Sequence, residues 1–275
     1  MNKNNILFEN LDPEVADKIL PRRNALFTMG KLGAAAAMLG SLPVSFAALS
    51  QEAFGQGTSL PQQVVDALNF ALTLEYLETE FYTTALASAA LGGLDGFDSD
   101  NNRAVFEGIR FNEAAHVQFI INTLGGLQSQ GGKAIPKPTF DFTAGGMFSP
   151  FTDYSQFLLL SQSFEETGVS TYKGQAPVVK ITPDILDAAL QIHSVEARHV
   201  ATIRRIRKTR GKADIKSWIT GENGGGAPAA IYEGETNMNG LTASSTLSLD
   251  AITESFDEPL AKAQVLAIAD PFIVG

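Results

Sequence analysis

The chain has 275 residues, enough for one large domain or two small ones, and 44% of them are hydrophobic, which allows a sizeable core. Its net charge of -10 and pI of about 4.8 argue against nucleic acid or an anionic membrane surface as the main partner, since both need a basic face. It contains 0 cysteines, which excludes thiolate zinc, iron–sulfur and disulfide chemistry; any metal must be held by carboxylate and imidazole, a set that suits iron, manganese or zinc.

Pro21-Arg22-Arg23-Asn24-Ala25-Leu26-Phe27 sets two arginines ahead of residues 32–49, which carry no charge and are rich in Ala and Gly. Ser45-Phe46-Ala47 is a small-x-small cleavage pattern, and Ala53-Phe54-Gly55 is a weaker one. Residues 1–55 thus resemble a twin-arginine export signal and linker, although the flanks of the arginine pair are not ideal and Lys31 breaks the apolar run. A buried helix or an uncleaved membrane anchor is the competing reading. The stretch is short and Gly-rich for a stable span. The expectation is therefore a periplasmic or extracellular protein with no membrane span after signal removal. The twin-arginine route carries folded proteins and suits one that acquires a metal before export.

Ser59-Leu60-Pro61-Gln62 reads as a helix start with Ser59 as cap. The helical pattern runs to about Leu91, where Gly92-Gly93 stops it. A polar loop leads to a second helix from about Asn102 to Leu127, closed by Gly125-Gly126 and Gly131-Gly132. A connection rich in Pro, Gly and Phe covers 128–149. Ser149-Pro150 starts a third helix that ends near Gln175, before Pro177. Thr182-Pro183 starts a fourth, which runs to about Arg210 with Gly211 as its stop and a basic last turn suited to the helix dipole. Beyond 212 the chain reads as mostly irregular, with a short helix near 259–269. Trp218, the sole Trp, is expected to pack this tail onto the helices.

Short first and third connections make two antiparallel hairpins. The middle connection, extended, reaches roughly 70 Å, and the helices are roughly 40 Å long, so it can cross the whole assembly. The fold expected is all-α: a ferritin-like four-helix bundle over 56–211, with a long crossover between helices 2 and 3, and an irregular tail over 212–275 packed on it.

The two halves repeat. Glu75 stands seven residues before Tyr82, and Glu165 seven before Tyr172. Glu113-Ala-Ala-His116 in the second helix matches Glu196-Ala-Arg-His199 in the fourth. Positions three or seven apart share a helix face, so the Glu and His of each Glu-x-x-His can approach one metal together. One Glu from each of two helices plus Glu-x-x-His from each of the others is the ligand set of a carboxylate-bridged dimetal site. The candidate ligands are Glu75, Glu113, His116, Glu165, Glu196 and His199. Four carboxylates bring the charge that two adjacent divalent cations need, and two imidazoles leave positions open for oxygen or peroxide.

A lone Glu-x-x-His is weak, but two of the 3 histidines carry it. The competing reading is a salt-bridged polar layer without metal, although such groups buried without cations are costly. Glu78 and Glu80 compete with Glu75, and Glu166 with Glu165; the tyrosine register favours Glu75 and Glu165. Tyr82 and Tyr172 are candidate hydrogen-bond partners of the ligands, or ordinary core tyrosines. His193 lacks a Glu at minus three and reads as a surface or helix-face residue.

The stretches LNFALTLEYLETEFY, FNEAAHVQFI, FEETGVSTYKGQAP and HSVEARHVATIR resemble the ferritin-like domain family that includes plant desiccation-related proteins and exported bacterial members, as does the tail segment SFDEPLAKAQVLAIADPFI. The resemblance covers about residues 60–275. It implies a four-helix fold and the same six ligands, holding two Fe or two Mn ions per chain, a metal set similar to that of manganese catalases and rubrerythrins. It does not imply a settled activity. One expected function is a dimetal oxidoreductase of catalase, peroxidase or oxidase type, acting on peroxide or oxygen in stress defence. The alternatives are non-catalytic metal binding or storage, and a structural, desiccation-type stress protein. A homo-oligomer is compatible with all three.

Overall fold

A computed structural model of the chain describes residues 60–92, 97 and 102–274. The export signal expected over 1–55 and the cap expected at Ser59 lie outside the described residues. Four long helices carry the fold: α1 (Gln62–Ala87), α2 (Asn102–Thr123), α3 (Tyr154–Val179) and α4 (Pro183–Thr209). α1 pairs with α2, α3 pairs with α4, and α1 also lies against α3. This is the all-α four-helix bundle expected, with two hairpins joined between α2 and α3. Among the described residues no helix is long and apolar enough to cross a membrane.

The helix ends differ from the expected ones for local reasons. α1 stops at Ala87, because Ser88 is extended and its hydroxyl donates to the Phe151 carbonyl; Leu91 sits in a separate helical turn, Ala89–Gly92. α2 stops at Thr123, since Gly125 and Gly126 take φ of 76° and 102°, which glycine adopts without strain. α3 starts at Tyr154 and not at Ser149-Pro150, because the Asp153 carboxylate accepts the Ser155 and Gln156 N–H groups. It also runs through Pro177 to Val179. Pro177 removes one N–H in the last turn, where little helix is left to lose. α4 begins with Thr182 at its cap and Pro183 at its first position, and Gly211 follows its end with φ 66°.

The crossover carries a two-residue strand, β1 (Thr139–Phe140), that pairs antiparallel with β2 (Ile273–Val274) at the end of the chain. It encloses an aromatic core in which Phe81 stacks on Phe157 at 5.2 Å and Phe106 meets Phe157 edge-on at 4.7 Å. Each such pair contributes roughly 0.5–1.5 kcal/mol beyond burial. The tail holds two short helices, α5 (Leu249–Thr253) and α6 (Lys262–Ala269). Leu260, Val265 and Ala269 pack on Phe70 and Leu74 of α1. Gly174 of α3 lets the tail this close: a Cβ there would lie 2.3 Å from the Leu260 carbonyl oxygen. Trp218 does not pin the tail down as expected, since 55% of it is exposed. Arg204 and Arg207 of α4 do so instead. Arg204 donates to the Lys216 and Asn223 carbonyls, and Arg207 to that of Gly225.

Candidate metal centre

Glu75, Glu113, His116, Glu165, Glu196 and His199 are all buried, at 0–6% exposure. The helix period explains this. Each lies on the stripe its helix turns towards the bundle axis, and each falls mid-helix, so the four helices present them at one depth. Isolated carboxylates do not go into a core without partners.

Two groups of ligand atoms form. One contains Glu75, Glu113, His116 and Glu196; the other contains Glu113, Glu165, Glu196 and His199. Within each group one donor atom per residue lies within 4.8 Å of all the others. Glu113 and Glu196 belong to both. His116 Nδ1 lies 2.9 Å from Glu113 Oε2, 3.2 Å from Glu75 Oε2 and 3.2 Å from Glu196 Oε1. His199 Nδ1 lies 2.8 Å from Glu113 Oε1 and 2.9 Å from Glu165 Oε2.

One imidazole nitrogen carries one hydrogen at most, so it cannot satisfy two or three carboxylates. Glu113 Oε1 and both Glu196 oxygens accordingly have no hydrogen-bond partner despite full burial. Such orphaned oxygens, converging on imidazole nitrogens, fit cations between them. The donors are all oxygen and imidazole nitrogen, as iron and manganese accept.

The electrostatics agree. Burial pushes Glu75 up to about 7, against the pull of His116. Burial and then repulsion from Glu196 and Glu165 push Glu78 well up, and burial and Glu113 do the same to Glu196. Burial would also raise Glu113, but His116 and then His199 outweigh it and hold that carboxyl below its ordinary range. Burial would lower both histidines, yet Glu75 and Glu113 raise His116 well above its usual value and Glu165 and Glu113 take His199 to about 11. Protons balance the cluster, and a cation binding there must displace them.

The tyrosines bond crosswise. Tyr82 of α1 donates to Glu165 Oε1 of α3 at 2.5 Å, and Tyr172 of α3 donates to Glu75 Oε1 of α1. His199 Nε2 meets Asn112 Nδ2 at 3.1 Å. With Nδ1 free for a cation, Nε2–H would donate, and the interchangeable amide can turn its oxygen to accept.

The competing glutamates separate cleanly. Glu80 bonds Lys137 on the surface. Glu166 is buried but faces away from the cluster, held by Arg204 Nη1 at 2.5 Å and by the Tyr232 hydroxyl. Burial raises it and Arg204 opposes that. Glu78 is buried at the cluster's edge, outside both groups.

Gly168 was not singled out from the sequence. A Cβ there would sit 3.0 Å from Glu196 Oε2 and 3.2 Å from Glu78 Oε1. A glycine in mid-helix is the signal that marks it. Asn112 and Arg204 were also missed; Arg204 was legible only as a charge on the apolar stripe of α4.

Residues 63–209 match the family model of the ferritin-like domain. The chain belongs to that family. The match spans all four long helices, and so covers every residue of both ligand groups. No curated protein matches the chain. In this ferritin-like protein the buried Glu/His cluster can hold metal ions.

Proposed function

We propose that the protein is an exported member of the ferritin-like family whose cluster holds two iron or two manganese ions and turns over peroxide or dioxygen in stress defence. The observation that carries this reading is the pair of four-atom ligand groups that share Glu113 and Glu196. Sharing two carboxylates is what brings two cations together without leaving their repulsion uncompensated.

A metal pair bound there would supply redox chemistry towards peroxide or oxygen. The protein's residues do the rest. Glu75 and His116 would hold one ion and Glu165 and His199 the other, with Glu113 and Glu196, which belong to both ligand groups, available to either. Tyr82 and Tyr172 orient the two terminal carboxylates. Tyr82 also lies against Phe106 and Phe157, so the aromatic core keeps water from that side. Glu78, raised by burial and by the neighbouring carboxylates, can hold a proton beside Gly168.

The arginine pair and apolar run before residue 56 support export. The sequence resemblance to desiccation-related proteins, with a ligand pattern similar to that of manganese catalases and rubrerythrins, supports the stress setting.

Elemental analysis of the mature protein beside a Glu113→Ala/His199→Ala variant tests the reading. About two metals per chain, lost in the variant, with peroxide or oxygen consumption by the loaded protein, is the expected result. No metal in the wild type, with an unchanged melting temperature in the variant, would leave a structural stress protein instead.

A further inference from the structure

A second site lies on the outer side of α3 and α4. A pocket of about 430 Å³ opens between these helices and the tail. Glu166, Ala197 and Val200 line it. They follow Glu165, Glu196 and His199 in sequence, so the pocket lies across the two helices at the level of the carboxylate cluster. Its size falls within the range of small-molecule sites.

Three features define its chemistry. First, two large aromatic side chains line it while remaining exposed: Trp218 at 55% and Phe256 at 43%. Leaving such apolar surface open to water is unfavourable, and a flat apolar ligand would cover it. Second, the acids on its wall already have cations. Glu166 is paired with Arg204, Glu254 with Lys216, and Asp257 with Lys173. The pocket therefore offers no unpaired carboxylate to a cationic ligand, and among the described residues no cation lines it to hold an anionic one. Third, His193 Nδ1 lies 3.1 Å from the Val169 carbonyl oxygen. That oxygen can only accept, so the proton is on Nδ1. In the neutral ring Nε2 is then left as a hydrogen-bond acceptor, and the His193 ring lines the pocket.

We propose that this pocket binds a small uncharged phenolic molecule, its ring against Trp218 and Phe256 and its hydroxyl donating to His193 Nε2. Binding needs no metal, so this assignment stands or falls independently of the dimetal reading.

Trp218 is the chain's sole tryptophan, so its emission reports on this pocket alone. The full chain, metal-loaded and metal-free, is titrated with 4-methylphenol and with toluene, which has the same ring and methyl group but no hydroxyl. The expected result is a saturable change in Trp218 emission in both forms, with 4-methylphenol bound about fivefold more tightly than toluene. His193→Phe should abolish that preference. Ala197→Phe, at an exposed position on the pocket wall, should abolish binding, with calorimetry confirming the loss and the melting temperature confirming the fold. No saturable response to either compound in the wild type overturns the proposal, and so does an unaltered response in Ala197→Phe. Equal affinity for the two compounds overturns the phenolic assignment. An emission change driven by protein concentration without ligand would give the pocket to a second copy of the chain and overturn it as well.

Discussion

The Tyr82 hydroxyl of α1 donates to Glu165 Oε1 of α3 at 2.5 Å, tying a ligand on one hairpin to the helix of the other. Tyr172 and Glu75 make the reciprocal tie. Tyr82→Phe removes one orienting bond and leaves the ring in its aromatic core. Metal affinity should fall about 10- to 100-fold, with the number of metals bound at saturation unchanged. Competition with a fluorescent chelator measures this. An unchanged affinity would make Tyr82 a core tyrosine and nothing more.

Gly168→Ala should push stability and metal affinity in opposite directions. Alanine favours a helix interior by up to about 1 kcal/mol over glycine. Its Cβ, however, would press on Glu196 Oε2 and Glu78 Oε1. The metal-free variant should melt no lower than the wild type, yet bind metal more weakly. Calorimetry and metal titration on the same samples check both halves.

The metal-free protein should lose stability as pH rises. Glu75 titrates at about 7 when folded against about 4.5 when unfolded, so between those values only the folded state keeps the proton. His199 behaves alike between 6.5 and about 11. Both contributions are full below the unfolded value and vanish as pH climbs through the folded one. Glu113 opposes them: its pKa is lowered in the fold, so its contribution is lost as pH falls. Metal binding displaces protons and therefore strengthens with pH. The gap in melting temperature between manganese-loaded and metal-free protein should widen from about pH 5 to pH 9. A gap that stays constant or narrows would show that the bound metal displaces none of these protons.

Arg204→Met should cost about 3–5 kcal/mol, because it strands the buried Glu166 carboxylate and frees the Lys216 and Asn223 carbonyls. Urea unfolding gives the magnitude. Limited proteolysis should then cut within residues 212–248 faster than in the wild type, since those contacts hold the tail on α4. Equal cutting rates would place the anchor elsewhere, at Leu260 and α6.

Helix rotation explains which glutamate choices could be read from sequence. Glu165 and Glu166 are neighbours, about 100° apart around α3. One faces His199 and the other Arg204. The seven-residue spacing to Tyr172 points to Glu165, and the cluster contains it. Glu75 and Glu78 are three apart and share a face. The seven-residue spacing to Tyr82 in α1 favours Glu75, although both are buried. Only the position of His116 on α2 shows which one lies within 3.2 Å of an imidazole.

The amino-acid sequence by itself determined the four helices and the crossover, and it favoured the six residues that meet at the bundle axis. All three follow from the helix period and from loop lengths, which are local properties. Tertiary structure decided the rest. It sent Glu166 to Arg204, set Gly168 against two carboxylates, crossed the tyrosines between hairpins and left Trp218 open beside His193. Those pairings join residues far apart in the chain. They depend on how each helix rotates against its neighbours and on where the tail lies, and neither has a period to be read in one segment.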